Sequence, residues 1–521
     1  MLRVRGHLRA QAARDVGGHG RRQDRLPAGH RRRRGGGLRP VVSPAVGRAH
    51  AAPEGAPAGA PPGPGARRGR GAGEPVSGKD LRRRAQRAVA DTGLRRALAA
   101  ATDHLALQRG RAIERLENFD DLRRAARDVR TATLARLPDV LATLADRITA
   151  AGGHVFFAAD AAEACRYVAD VARRHGARRI AKAKSMVTEE IRLNHALAAA
   201  GFEVVETDLG EWIVQLIGEA PSHVITPAIH LSRGRVAEIF RDHGGEGLTD
   251  EPATLTAFAR RQLRAVFLSA DIGISGANFA VAESGTICLV TNEGNGRMVT
   301  SIPPVHIAVV GLERVVETWS DLGLVLSLLA RSATGQDLTA YTTMVTGPRR
   351  PGEVDGPDEL HVVIVDNGRS GILGGAYREI LNCIRCGACL NVCPVYRQIG
   401  GHAYAAAYSG PIGAVLAPLL AGGAAGELRL ASSLCGACYQ ACPVMIPLQD
   451  MLLALRRDAA PQASRVERVI WALWSRAWSR PRLYRLSTRL AGAGARLVPS
   501  RLVPRWGAGR QVPRPPREES R

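Results

Sequence analysis

Apolar residues recur every three or four positions between residue 81 and about residue 151, which is the spacing of amphipathic helices. Leu94, Leu98 and Ala101 lie on one such face. A further helix or pair of helices is expected after residue 120, with a break near Pro138. This first patterned part of the chain is therefore predicted to be helical.

Short apolar segments then alternate with helical ones. Strands are predicted at residues 154–158, 179–183, 202–207, 223–228, 265–268, 281–291 and 306–311, and helices at residues 161–175 and 188–200. Strands that alternate with helices of about ten to fifteen residues are typical of an α/β layer on a largely parallel sheet. We therefore predict an α/β domain over residues 79–346.

A segment rich in proline and glycine follows at residues 347–352 and marks a linker that extends to residue 374. An apolar run at residues 361–366 is a candidate for one more strand of the sheet. Residues 375–460 again show a helical pattern and form the second expected domain. An N-terminal extension, residues 1–78, and a basic C-terminal tail, residues 461–521, are expected to be disordered.

The net charge of +24 is concentrated at the two ends of the chain. Residues 1–75 hold 16 arginines against 4 acidic residues, and residues 463–521 hold 14 arginines against 3 acidic residues. The segment between them is close to neutral, which argues against a basic nucleic-acid groove in the folded part.

The N-terminal extension consists largely of Arg, Gly, Ala and Pro and cannot bury a core. Two interpretations stay open. The segment is either a disordered basic tail or the product of a wrongly assigned start codon in GC-rich DNA, a composition that favours these four residues.

Membrane insertion and export are not indicated by the sequence. The N-terminus has arginines but no apolar segment of a signal peptide, and the most apolar stretch, residues 410–426, is interrupted by Pro411, Gly413 and Pro418. We expect a cytoplasmic protein without a transmembrane segment.

Seven of the nine cysteines lie within 60 residues, in two runs. The first run, with the spacing C-x2-C-x2-C-x3-C-P, comprises Cys383, Cys386, Cys389 and Cys393, and the second, C-x2-C-x3-C-P, comprises Cys435, Cys438 and Cys442. Such dense spacing is typical of metal ligands in a reducing compartment rather than of disulfides. Zinc also binds C-x2-C pairs, but it has no use for three evenly spaced cysteines followed by Cys-Pro. The runs therefore predict iron–sulfur clusters and electron transfer.

In two-cluster proteins the fourth cysteine of a run binds the other cluster. This rule assigns Cys383, Cys386, Cys389 and Cys442 to the first cluster, and Cys393, Cys435 and Cys438 to the second. Overlaying the runs puts Ser432 where the second cluster lacks a thiolate. The cofactors are expected to be two [4Fe-4S] clusters, the second with Ser432 or water as its fourth ligand, or a [3Fe-4S] cluster there. The helical flanks favour an α-helical ferredoxin domain.

Polar residues are dense in three stretches of the α/β domain, at residues 182–190, 206–212 and 271–297. Glycine with Asn or Asp is common in turns, and Glu often caps helices, so each residue has a structural explanation. Open α/β sheets also bind ligands at the carboxyl ends of their strands, which is the functional alternative.

These stretches and the two cysteine runs resemble the lactate utilization protein B family. The resemblance covers about residues 85–460 and rests on KSMVTEEI, ETDLGEWIVQL, GISGANFAVAESGTICLVTNEGNGR and LNCIRCGACLNVCPVYR. It implies a LUD domain, with a sheet like that of the CoA-transferase and ribose-phosphate-isomerase group, joined to a two-cluster segment. It also implies oxidation of L-lactate to pyruvate with two companion proteins, and a missing cysteine opposite Ser432 as a family trait.

Candidate catalytic residues follow from the chemistry of lactate, a small hydroxy acid. Lys184 or Arg297 could hold its carboxylate, His230 could take the hydroxyl proton, and Glu283 lies in the same polar stretches. Nicotinamide, flavin and P-loop motifs do not appear in the sequence. Another two-electron dehydrogenase, of the glycolate or heterodisulfide type, is the alternative function. Cys165 and Cys288 are expected to be buried structural thiols.

The basic C-terminal tail places Trp471, Trp474 and Trp478 at helical spacing among arginines. This helix face could pack on its own domain, dock a partner subunit, lie on an anionic membrane surface or, as the least favoured option, bind nucleic acid. A binding protein that acts through its two basic tails is the non-enzymatic hypothesis.

Overall fold

The computed structural model describes residues 81–421, 426–460 and 465–497, of which residues 491–497 are described only as helical backbone. The predictions for residues 1–78 lie outside this part of the chain. The chain divides into two units, residues 1–451 and residues 452–521. Each unit is described by itself.

Four helices open the described chain, as the apolar spacing predicts. They are α1 (Leu81–Ala90), α2 (Thr92–Glu114), α3 (Phe119–Ala135) and α4 (Leu137–Ala150). The Asp91 carboxylate caps α2 by accepting a hydrogen bond from the backbone N–H of Leu94. Pro138 lies in the first turn of α4, where its missing N–H costs no helical hydrogen bond, so α3 and α4 are separate helices.

A parallel six-stranded sheet forms the centre of the α/β domain. Its strands are β1 (His154–Ala158), β2 (Arg179–Lys182), β3 (Glu203–Glu206), β4 (Ile272–Ser275), β7 (Val305–Gly311) and β10 (Glu359–Val365). They lie in the order β1-β10-β7-β4-β2-β3, and every pairing is parallel. The strand expected at residues 361–366 is thus β10, which lies inside the sheet between β1 and β7.

Helices cover both faces of this sheet. They are α5 (Ala161–Arg174), α6 (Met186–Glu190), α7 (Leu193–Ala199), α8 (Leu209–Leu216), α9 (Arg233–Asp242), α10 (Pro252–Ser269) and α11 (Asn295–Ser301). The next helix, α12 (Trp319–Thr334), packs instead on α2 and α3. Successive residues of β2 point into different cores: Ile180 packs with α5 and α7, whereas Ala181 packs with α8, α9 and α10. Burial on both faces explains why the central strands β4, β7 and β10 are mostly apolar, whereas the edge strand β3 carries Glu203 and Glu206.

A second, smaller sheet was not predicted. Its strands are β5 (Phe279–Val281), β6 (Thr286–Thr291), β8 (Val315–Val316) and β9 (Tyr341–Val345), in the order β8-β5-β6-β9. The single strand expected at residues 281–291 is instead the end of β5, a turn and β6. Gly285 makes this turn with φ of +71°, a conformation that favours glycine.

Three further predictions in this domain were wrong. Residues 265–268 belong to α10, because only Phe267 of this apolar run is buried and it continues the helical spacing of Phe258 and Leu263. Residues 223–228 form a loop, in which the His223 ring accepts hydrogen bonds from two following backbone N–H groups. The helix expected at residues 188–200 is divided into α6 and α7 at Arg192, which has φ of +55°.

In the described part of the segment that carries the cysteines, the regular elements are short helices and 3₁₀ turns joined by irregular chain. The segment contains α13 (Arg369–Leu373), α14 (Ala388–Asn391), α15 (Tyr396–Ile399), α16 (Gly410–Leu420), α17 (Ala437–Ala441) and α18 (Leu448–Ala459), with 3₁₀ turns at Arg378–Asn382, His402–Tyr404 and Gly426–Leu430. The first unit is therefore an α/β domain followed by a helical segment that carries both cysteine runs.

The C-terminal unit contains α19 (Arg465–Trp478) and α20 (Pro481–Leu497). The expectation of a disordered tail was therefore wrong for these residues, because their apolar side chains follow the helical spacing and Pro481 is placed as the first residue of a helix. Among the helices of the described ranges, none combines the length and apolar character needed to cross a membrane.

Candidate metal centre

The first cysteine run is a tight turn ahead of α14. Arg385 and Gly387 both have positive φ, 60° and 75°, so the chain curls around the sulfur atoms of the run. The backbone N–H of Arg385 donates a hydrogen bond to Cys383 Sγ at 3.4 Å. This turn is the local reason why three cysteines at C-x2-C-x2-C spacing can face one point.

Cysteines from both runs line one cavity: Cys383, Cys386, Cys389 and Cys442. Most of the other residues lining it are apolar, and they include Val224 of the α/β domain. Cys442 Sγ accepts a hydrogen bond from the backbone N–H of Ile446 at 3.4 Å. The cavity therefore brings together the four side chains that the crossover rule assigns to the first cluster.

The remaining three cysteines form a second group, in which neighbouring sulfurs affect the pKa of Cys393 and Cys438. Cys393 and Cys438 are buried, whereas Cys435 is exposed. Burial, and then the neighbouring Cys393 sulfur, raise the pKa of Cys438 to about 11. Hydrogen bonds from the Ala437 backbone N–H and the Ser433 side chain lower the pKa of Cys435. This group corresponds to the expected ligands of the second cluster.

The two runs repeat the same backbone conformation. Leu434 and Gly436 have φ of 57° and 80°, matching Arg385 and Gly387. The Leu434 backbone N–H donates a hydrogen bond to Ser432 Oγ at 3.1 Å, as the Arg385 N–H does to Cys383 Sγ. The serine oxygen thus lies where a cysteine sulfur lies in the first run.

The chemistry of these side chains fits iron–sulfur clusters. Burial raises the pKa of Cys386 to about 12 and, with the neighbouring sulfurs, holds the pKa of Cys389 well above its usual value. Such thiols lose their protons when a positively charged metal binds. Backbone N–H groups directed at sulfur, as at Cys383 and Cys442, are typical of iron–sulfur sites.

Arginines from the α/β domain and its N-terminal helices surround the first site. The Arg314 guanidinium donates to the Cys383 carbonyl at 2.7 Å, Arg109 to the Ala441 carbonyl at 2.9 Å, and Arg123 to the Cys442 carbonyl at 2.9 Å. Arg130 is fully buried and donates to the Leu381 carbonyl at 3.1 Å. Their positive charges lie beside the four sulfurs.

A buried ion-pair network connects this site to the sheet. Arg369 donates to Glu190 and to Glu313, at 2.7 Å in each case, and has no exposed side-chain surface. Glu313 also pairs with Arg385 at 3.1 Å, and Tyr408 donates to Glu190 at 2.8 Å. Burial opposes ionisation of Glu313, but the nearby arginines outweigh it and lower its pKa to about 2. Sequence reasoning missed this network.

The loop at residues 222–226 packs the α/β domain against the cysteine segment. The Tyr396 hydroxyl donates to the Ser222 carbonyl at 2.9 Å, and His223 Nε2 lies 3.1 Å from Asn391 Oδ1. A Cβ atom on Gly387 would lie 3.1 Å from the Ile225 side chain, so glycine permits this close approach. The carboxyl edge of the sheet is covered here by the cysteine segment.

The four candidate catalytic residues have different partners. Lys184 Nζ donates to the Ile225 carbonyl at 2.5 Å. His230 Nε2 lies 2.8 Å from Glu219 Oε2, and the Glu283 carboxylate accepts a hydrogen bond from the first backbone N–H of α12. Arg297 is exposed on α11. Each contact has a structural explanation.

A second buried polar group lies at the carboxyl ends of β2 and β3. Lys182 is fully buried, and its Nζ lies 2.6 Å from Glu206, 3.3 Å from Glu189 and 3.8 Å from Glu211. Burial opposes the charged form of Lys182, but the carboxylates outweigh it and raise its pKa. Burial and the Glu206 carboxylate raise the pKa of Glu211 well above its usual value. These residues belong to the polar stretches singled out in the sequence.

The two remaining cysteines are buried away from the runs. Cys165 lies in the core beneath α5, and its sulfur donates weakly to the Ile191 carbonyl. Cys288 lies on β6, and burial raises its pKa to about 12. Both are neutral core side chains at neutral pH.

Comparison with known families divides the chain into three parts. A model of the LUD domain matches residues 141–365, a model of the 4Fe-4S dicluster domain matches residues 379–446, and a model of the C-terminal part of lactate utilisation protein B matches residues 454–521. The dicluster match, with the clustered cysteines, implies two iron–sulfur clusters. The last match extends the resemblance past residue 460, into the tail.

Two similar relatives are both called lactate utilization protein B. The relative from Shouchella clausii is 47% identical over 433 residues, 82% of this chain and 90% of its own length. The relative from Bacillus thuringiensis is 47% identical over 422 residues, 80% of this chain and 89% of its own length. A crystal structure of a DUF162 family protein from Deinococcus radiodurans is 19% identical and covers 44% of this chain and 98% of that chain, with a TM-score of 0.26.

Proposed function

Since the chain belongs to the lactate utilization protein B family, we propose that it is the iron–sulfur subunit that carries electrons from the oxidation of L-lactate to pyruvate. In this proposal the subunit works in the cytoplasm with two companion proteins. Bound iron–sulfur clusters would supply one-electron carriers, which a two-electron oxidation requires when its electrons leave singly.

The cavity lined by cysteines of both runs carries this proposal. We assign Cys383, Cys386, Cys389 and Cys442 to the first cluster. We assign Cys393, Cys435 and Cys438 to the second. The crossed assignment is supported because Cys442 lies with the first run although it belongs to the second. It is also supported because the Cys435 sulfur raises the pKa of Cys393 and the Cys393 sulfur raises the pKa of Cys438.

For the second cluster we propose Ser432 as the protein group nearest its fourth iron. The support is the repeated turn, in which Ser432 Oγ and Cys383 Sγ accept the same backbone hydrogen bond. An oxygen ligand binds iron more weakly than a thiolate in a sulfur-rich site. The fourth iron is therefore expected to be labile, and partial conversion to a three-iron cluster follows.

We infer that the LUD domain supports and covers the first cluster, and that lactate is oxidised in a companion protein. Ligands of open α/β sheets usually bind at the carboxyl ends of the strands. In this chain Lys184, Glu313 and Arg369 follow three of those ends. Lys184 holds the loop at residues 222–226, whereas Glu313, itself paired with Arg369, holds Arg385 of the first cysteine run. Within this proposal the domain keeps a sheet of the CoA-transferase type, and the cysteine segment is an α-helical ferredoxin.

The test is iron and acid-labile sulfide per chain, with EPR spectra of the reduced protein, in wild type and Cys386→Ala. We expect four irons for the first cluster and three or four for the second in wild type. Cys386→Ala is expected to lose the first cluster together with lactate-driven reduction by the assembled complex. Cys165→Ala is the matched control, because it also removes a buried thiol but lies in the core beneath α5. Full lactate oxidation by a Cys386→Ala complex without the first cluster would refute the proposal.

A further inference from the structure

The two C-terminal helices expose many large apolar side chains. On α19 they are Val466, Val469, Ile470, Trp471, Leu473, Trp474 and Trp478, and on α20 they are Leu483, Tyr484, Leu486 and Leu490. Each of them is between 38% and 71% exposed. Contiguous apolar surface of this extent marks a site of interaction with a protein or a membrane.

The apolar residues are ordered along each helix. Leu483, Leu486 and Leu490 follow one another at three- and four-residue spacing and share one face of α20. Val466, Ile470 and Leu473 do the same on α19. Both helices are therefore amphipathic, and each presents an apolar face of its own.

The polar side of these helices is strongly basic. Residues 465–490 contain seven arginines and a single acidic residue, Glu467. On α20, Arg482, Arg485 and Arg489 repeat at the spacing of the leucines and lie on the adjoining face. Long arginine side chains beside an apolar face can keep their charges in water while their stems contact apolar groups.

Aromatic rings join the two helices. Ring centroids are 5.7 Å apart for Trp471 and Trp474, 4.8 Å for Trp474 and Trp478, and 5.1 Å for Trp478 and Tyr484. The row of rings runs from α19 onto α20, so the helices form one hairpin with one surface. Trp and Tyr are the side chains enriched where membrane and water meet.

We propose that the hairpin of α19 and α20 binds the surface of an anionic phospholipid membrane. The leucines and aliphatic residues enter the interface, while the arginines contact lipid headgroups. A lipid surface fits because it matches both the positive charge and an apolar face flanked by tryptophans, which is the pattern of helices that lie in the interface plane.

The test is sedimentation of the full-length protein, with its clusters, together with lipid vesicles. Vesicles of phosphatidylcholine with about 30% phosphatidylglycerol are compared with pure phosphatidylcholine, at low and at physiological salt. We expect at least tenfold tighter binding to the anionic vesicles, because the arginines are attracted to the anionic headgroups, and weaker binding as salt rises, because salt screens this attraction. Tryptophan fluorescence is expected to be quenched by brominated lipids.

Matched variants distinguish binding through the hairpin from general electrostatic attraction between a positively charged protein and anionic lipid. The triple variant R482E/R485E/R489E is expected to bind anionic vesicles at least tenfold more weakly, while R166E/R173E/R174E on α5, with the same change in charge, keeps wild-type binding. Unchanged iron content and helical circular dichroism in both variants verify that they fold.

Three results would overturn the proposal. One is no binding to anionic vesicles at low salt, which would favour a protein partner for this surface. Another is an equal loss of vesicle binding in both triple variants. The third is binding without tryptophan quenching, because the apolar face would then stay outside the lipid.

Discussion

The two cysteine runs share one backbone conformation but lie in different surroundings. Positive φ values repeat at Arg385 and Leu434 and again at Gly387 and Gly436. The first run is enclosed by the α/β domain and lies beside several buried guanidinium groups. The second run leaves Cys435 exposed to solvent and replaces one cysteine by serine.

This difference suggests different tasks for two sites built on the same turn. Positive charges and N–H groups favour the reduced, more negative form of a cluster, whereas solvent exposure eases contact with other proteins. The first site is suited to holding an electron inside the subunit. The second, in which Cys435 is exposed, is suited to exchanging electrons with another protein.

The largest effects are expected from replacing the two cysteines that are assigned to the cluster of the other run. Cys442→Ala should remove the first cluster although it lies in the second run, and Cys393→Ala should remove the second cluster although it lies in the first. Each change should cost about half of the bound iron. Iron analysis and EPR spectra of both variants show which cluster each of them has lost. If each variant lost the cluster of its own run, the crossed assignment would be wrong.

Removing Arg369 should strongly destabilise the α/β side of the first site. Arg369→Leu leaves the buried carboxylates of Glu190 and Glu313 without their main partner, which costs roughly 3–5 kcal/mol. Chemical denaturation followed by circular dichroism measures this loss. Arg173→Ala, which breaks an exposed ion pair with Asp170, should cost less than about 1 kcal/mol.

The loss of stability caused by Arg369→Leu should become smaller as the pH falls. Because the pKa of Glu313 is lowered from 4.5 to about 2 in the folded protein, its ionised form stabilises the fold above about pH 4.5. This contribution declines as the pH falls towards 2. The difference between wild type and Arg369→Leu should therefore shrink below pH 4.5, and a constant difference would contradict the assigned ion pairs.

Removing the charge of Arg385 should lower the reduction potential of the first cluster only. A unit charge about 8 Å away contributes about 2 kcal/mol at an effective dielectric constant of about 20. This corresponds to about 90 mV for a one-electron step. EPR-monitored redox titration of Arg385→Gln measures the shift, and Arg385→Lys, which keeps the charge, is the control. A shift of equal size in both clusters would show that the two surroundings are not electrostatically separate.

The smallest structural change is expected from Ser432→Cys. Because Ser432 Oγ and Cys383 Sγ accept equivalent hydrogen bonds, a cysteine here should complete the second site without altering the fold. Any three-iron EPR signal should then decrease in favour of the four-iron signal. Ser432→Ala is the opposite control and should increase the three-iron fraction. Identical spectra for the three proteins would exclude Ser432 as a ligand.

Local patterns in the sequence predicted much of this molecule. The strand at His154–Ala158 and the amphipathic helix beginning at Ala161 follow from residue periodicity, and the two cysteine runs follow from spacing. Such features depend on neighbours within a few positions. The same reasoning failed at residues 265–268, where four adjacent apolar residues fit a strand as well as a helix.

The surroundings of the first site could not be predicted in this way. Arg130 reaches the Leu381 carbonyl, and Arg369 reaches Glu190, across more than 170 positions of the chain. The local sequence around an arginine does not indicate whether its side chain is solvated or buried against a carboxylate. Only the fold decides which of the many arginines become partners of the cysteine segment.

The position of β10 affects the order in which the protein can be assembled during synthesis. In the described part of the chain β1 pairs only with β10, so this early strand waits unpaired until nearly the whole domain has been made. The first cysteine run emerges soon after β10, and Cys442 emerges later still. Delivery of iron and sulfide is thus expected to follow closure of the sheet, so that a ribosome stalled before β10 would hold a chain unable to accept its metal.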